Sequence, residues 1–237
     1  MRIPALLEGL LHGEVGHDAL DASQGPRVRA GELLLLILGL GALHGACVGL
    51  YGLWWGRAYG AFHLMAVMLK VPLSFLATLF VTLPSLYVFA ALGGARLRLV
   101  PTLRLFLAAT ALALIVLASL GPVIVFFTFS TSSHPFLQLL NAAAGALAGL
   151  VALRFLRQRL EQASPDERIE LEDGRELRRR SRAGLVFRGW LGVYALVGAQ
   201  MAWILRPFVG TPHLPQELFR STHSNVFEGL LQALKYL

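Results

Sequence analysis

Between Glu32 and Glu161 the chain carries no aspartate and no glutamate. A water-soluble domain carries about 25% charged residues, so a carboxylate-free stretch of this length needs a solvent other than water. Charged residues make up 15% of this sequence and hydrophobic residues 56%. A helix needs about 20 apolar residues to cross a hydrocarbon core about 30 Å thick. Five runs reach that length, at 33–55, 71–92, 105–129, 136–156 and 185–205. The expected fold is an all-α integral membrane protein, a bundle of five transmembrane helices.

The basic residues orient the bundle. Arg2, Arg27 and Arg29 precede the first span, Arg96, Arg98 and Arg104 follow the second, and ten arginines lie in 154–188. The opposite side has Arg57 and Lys70, no base in 130–135, then Arg206, Arg220 and Lys235. Lysine and arginine accumulate in cytoplasmic loops, so the N-terminus is expected inside and the C-terminus outside. The same rule accounts for the net charge of +7 without nucleic acid as a partner. The first twenty residues contain Glu8, Glu14 and Asp18 and lack an uninterrupted apolar core, unlike a cleaved signal peptide.

Residues 1–30 are expected to form a cytoplasmic amphipathic segment and linker, since Ile3, Leu6, Leu7, Leu10 and Leu11 recur at helical spacing. Residues 31–210 hold the transmembrane bundle, including a cytoplasmic loop at 157–184. Residues 211–237 form an outer-face segment in which Val226, Phe227, Leu230, Leu231, Leu234 and Leu237 share one helical face. The apolar stretch 59–69 ends at Lys70-Val71-Pro72 and is expected to lie in the outer interface, turning at Pro72, with Lys70 reaching the headgroups. Pro84 and Gly121-Pro122 are expected kinks, the freed carbonyl near Pro84 being partly compensated by nearby hydroxyls. In the loop, Asp173-Gly174 signals a tight turn between two short strands.

Small residues recur four apart in two spans, as Gly41, Gly45 and Gly49 in the first and Gly145 and Gly149 in the fourth. Such faces let helix backbones approach closely in lipid. Packing within the chain is the favoured use of both, and a homodimer seam is the alternative.

Candidate chemistry is sparse. His12 and His17 stand five residues apart among glycines and would not share a helix face, unlike the zinc-binding pair of a metalloprotease. His44 lies inside the first span, where hydrogen bonding to a neighbouring helix is the simplest role; a haem would need a second histidine at matching depth, and His63 is expected at the interface. His44, Asn141 and Gln200 are the candidates for a small polar cavity. Arg178, Arg179, Arg180 and Arg182 form a candidate patch for anionic lipid or a protein partner. Arg206 follows Trp203 at the end of the last span; with Gln200 and either Glu217 or Glu228 it is the candidate for a clasp holding the outer tail to the bundle. No cofactor or metal is expected, and Cys47 is the single cysteine.

The blocks 70–94, 118–122 and 193–210 resemble a family of bacterial polytopic membrane proteins whose last block reads YxxVGxQMxWxLRPFxG. Here Tyr194, Val197, Gly198, Gln200, Met201, Trp203, Leu205, Arg206, Pro207, Phe208 and Gly210 match it. That family carries no assigned activity, so the resemblance implies architecture and a bacterial inner-membrane location. More remotely, five spans with Lys-x-Pro opening the second resemble the Yip1-like superfamily of membrane scaffolds. The expected function is a non-enzymatic scaffold or accessory subunit with a membrane-protein partner, docking through the basic loop or the outer C-terminal helix. A channel or permease built around His44, Asn141 and Gln200 is the alternative.

Overall fold

The computed structural model describes residues 8, 30–54, 60–92, 99–131, 133–163, 167–170, 176–179, 182–205 and 226–235. The apolar runs form α1 (Ala30–Trp54), α2 (Gly60–Leu92), α3 (Leu99–Ser130) and α4 (His134–Ala163). A hairpin of β1 (Glu167–Glu170) and β2 (Glu176–Arg179) follows, then α5 (Arg182–Leu205) and a short α6 (Val226–Lys235). Four helices, α1 to α4, are long and apolar enough to cross a membrane. Large apolar side chains cover their outside, among them Leu35, Met65, Phe80, Phe126 and Leu150, all more than half exposed. A surface of that kind suits lipid, in which helices bond their own backbones and lose nothing by exposing leucine.

Packing arranges the helices as a row closed by its last member. In the row α2–α1–α3–α4 each helix touches the next; α5 then lies against both α2 and α4. The short helix α6 rests on α4 and α5. Successive helices alternate in direction: Gly41 faces Pro72 and Gly49 faces Leu64 across α1 and α2, whereas His44 meets Leu117 on the parallel α3.

The α1–α2 seam shows why the glycines are there. A Cβ placed on Gly45 would sit 2.7 Å from the Cα of Met68, and one on Gly49 would sit 2.9 Å from the Leu64 side chain. On α4 the expectation fails: a Cβ on Gly145 or Gly149 would meet nothing within 4 Å. Here α3 is met instead by the side holding Leu137, Ala144, Ala148, Ala152 and Leu156, because alanines already give a smooth enough face for close approach.

The prolines also act differently from expectation. No separate interfacial helix precedes Pro72: α2 is one helix of 33 residues running through Pro72 and Pro84. Pro72 packs into the notch left by Gly41, its Cβ being 2.8 Å from where a Cβ on that glycine would lie, so α1 supports the helix where it lacks an amide donor. The α2 hydroxyls do not bond the carbonyl of Phe80 that Pro84 leaves free. Ser74, Thr78 and Ser85 donate to Val71, Ser74 and Thr82, and Thr82 donates to Thr78 at 2.6 Å. The two strands pair antiparallel, with Glu170 opposite Glu176 and Glu167 opposite Arg179, while Asp173-Gly174 lies outside the described residues.

Candidate functional site

His44 is buried in α1, and its Nδ1 lies 2.9 Å from the carbonyl oxygen of Leu117 on α3. A carbonyl only accepts, so Nδ1 carries the proton of this bond. One turn further along, Cys47 Sγ fills the space beside Gly121, 2.9 Å from where a Cβ would stand. Histidine and cysteine thus lock α1 onto α3 next to Pro122, where the α3 ladder lacks a donor. This is the interhelical bond expected of His44. His63, expected at the interface, is buried three residues from the Gly60 end of α2, its ring against Gly52.

The other members of the expected polar cavity come from different places. Asn141 is buried on the side of α4 that faces α3, and its Nδ2 has no hydrogen-bond partner among the described residues. Gln200 is half-buried on α5, four and seven residues beyond Leu196 and Val193, both exposed. That spacing sets Gln200 on the outward side of α5, away from the Gly198 edge that meets Thr78 of α2. In the helix row α1 touches α2 and α3 while α5 touches α2 and α4, so His44 and Gln200 belong to helices that are not neighbours.

The elements of the expected clasp lie largely outside the described residues: Arg206 and Glu217 are not among them, nor is the Trp203 side chain. Glu228 is exposed on α6. In the basic patch, Arg178 and Arg179 belong to β2 and Arg182 opens α5, while Arg180 lies outside the described residues, as do those side chains.

A polar and aromatic junction that the sequence reading missed holds α5 in place. Trp190 is fully buried, and its indole Nε1–H donates to Ser85 Oγ on α2 at 2.9 Å. Its ring meets Phe106 of α3 edge-on at 5.1 Å and stacks on Tyr194 at 5.4 Å. The signal was available: Trp190 and Tyr194 stand four apart in an apolar run and so share a face. What the sequence withheld was the partner.

Lys70, expected beside a turn at Pro72, is instead set within a continuous helix. It lies inside α2, between Met68, which faces Gly45, and Pro72, which faces Gly41, and so is level with His44 halfway along α1. Its side chain is half-buried, and no described residue gives its ammonium a hydrogen bond or ion pair.

No protein-family model, curated protein or solved structure matches this chain.

Proposed function

We propose that the chain is a five-span, N-in/C-out protein of the bacterial inner membrane, serving as a non-enzymatic scaffold or accessory subunit of a membrane complex. In this reading α5 is the fifth span, and the arginine-bearing hairpin lies in the cytoplasm, consistent with the excess of base beside that end of the bundle. Its partner is a membrane protein, engaged through the basic loop or the outer C-terminal helix, with anionic lipid at the cytoplasmic face.

The observation that carries this reading is the state of α6. The helix lies on α4 and α5, yet Phe227, Leu231 and Leu234 remain 57%, 60% and 59% exposed, with Glu228 and Lys235 exposed beside them. An apolar face rimmed by charge, already docked on the bundle, has the make-up of a contact surface. The test places a photo-crosslinking residue at Leu231 of the full chain in its native membrane. A single heterologous membrane protein, recovered in near-stoichiometric yield, is the expected adduct. Recovery of lipid adducts or uncrosslinked monomer alone overturns the reading.

A further inference from the structure

Among the described residues, none pairs with the Lys70 ammonium. Ten residues of α2 separate it from Gly60, about 15 Å of helix axis at 1.5 Å per residue. Around that end lie the exposed aromatics Trp54, Phe62, Phe126 and Phe129. At the other end of the bundle stand Glu32, Arg104, Arg154 and Arg159. An apolar slab about 30 Å deep, laid between the two belts, has Lys70 near its middle. Neither belt is within reach of its four-carbon stem, so snorkelling does not relieve the charge. A lysine at such a depth is costly, and ionisable residues there pair with one another or with backbone carbonyls.

The surroundings define the partner's shape. Lys70 borders a stripe of exposed apolar side chains, Phe62, Met65, Leu69 and Leu73, which extends to both sides of it along α2. We propose that Lys70 and this stripe form a docking surface for a partner's transmembrane helix carrying an aspartate or glutamate at the matching depth. The proposal rests on the reading of the chain as an accessory membrane subunit and names the chemistry of its partner. A helix with a central carboxylate satisfies the ammonium and covers the apolar residues above and below it. A lipid or fatty acid brings its charge at one end of its tail and belongs at the interface, so it covers one arm only.

The test uses the full chain in phospholipid vesicles, with leucine-rich transmembrane peptides carrying a central Asp or a central Leu, and energy transfer as the readout. The Asp peptide is expected to bind about tenfold more tightly than the Leu peptide, the scale of polar pairing between model helices. Lys70→Met and Lys70→Gln abolish that preference without lowering the melting temperature, Lys70→Arg keeps it, and Lys70→Asp transfers it to a peptide with a central Lys. Equal binding of the two peptides, or a preference that survives Lys70→Met, overturns the proposal. So does oleate that displaces the Asp peptide in a Lys70-dependent way, which makes the site one for an amphiphile. Loss of the preference with the Leu231 adduct intact removes the Lys70 surface and leaves the scaffold reading. The opposite pattern removes the tail-helix contact and leaves Lys70.

Discussion

Gly45 and Gly145 sit in similar sequence settings, each four residues from another glycine in an apolar helix, and they meet opposite surroundings. A methyl group on Gly45 runs into the backbone of Met68, which has no side-chain freedom with which to yield. Gly45→Ala is therefore expected to force α1 and α2 apart and lower stability by about 1–3 kcal/mol, the usual cost of overpacking. Gly145→Ala meets open space and is expected to change stability by no more than about 0.5 kcal/mol. Unfolding in mixed micelles by added SDS measures both. His44 is the second residue-scale case. His44→Leu leaves the Leu117 carbonyl without its cross-helix donor, and the expected loss is about 0.6–1.7 kcal/mol, the range of hydrogen bonds between transmembrane helices. The positions of these groups were legible in the sequence, but their environments were not. Periodicity assigns a residue to a face, and two glycine faces in lipid read alike until a neighbour chooses one.

At the scale of elements, α5 depends on specific contacts more than the other helices do. It has the seam with α2, a smaller one with α4, and the junction where Trp190 meets Ser85, Phe106 and Tyr194. Trp190→Phe keeps an aromatic ring there but removes the bond to Ser85, and is expected to cost about 1 kcal/mol. Trp190→Ala empties the junction as well and is expected to cost about 3–5 kcal/mol. The same SDS titration, with energy transfer between labels on α2 and α5, separates loss of this helix from global unfolding. The extents of the helices were legible from composition to within about three residues, apart from the start of α3, six residues earlier, the end of α4, seven residues later, and the start of α2. There the sequence pattern was read as two pieces because proline withdraws a donor and lysine prefers water. Gly41 supplies the room that keeps the helix continuous past Pro72, and only the register of two distant segments brings them together. The hairpin was the opposite case: a turn is signalled by adjacent residues, and the strands pair on either side of the segment that holds that signal.

For the whole molecule, orientation is the property to test next. In a chain whose Cys47 is replaced by alanine, a cysteine at Ser133 is expected to react with an impermeant maleimide added outside intact cells. A cysteine at Glu176 is expected to react only after the membrane is opened. The reverse pattern overturns the N-in/C-out arrangement. Charge counting gives an expected orientation because that property depends on loops. The spatial order of the helices was not legible, because lipid-facing and helix-facing leucines are chemically the same residue. That order bears on biogenesis. The row α2–α1–α3–α4 is synthesised first, and α5, which spans its two ends, emerges after the hairpin. Until then Thr78, Thr82 and Ser85 on α2 lack the helix that later covers them, so a ribosome-bound intermediate displays a hydroxyl-lined slot within the bilayer. A chain ending at Ala163 is frozen at that stage. It is expected to be retained by the membrane insertion machinery and cleared by proteolysis faster than the full-length protein, as a pulse-chase comparison would record.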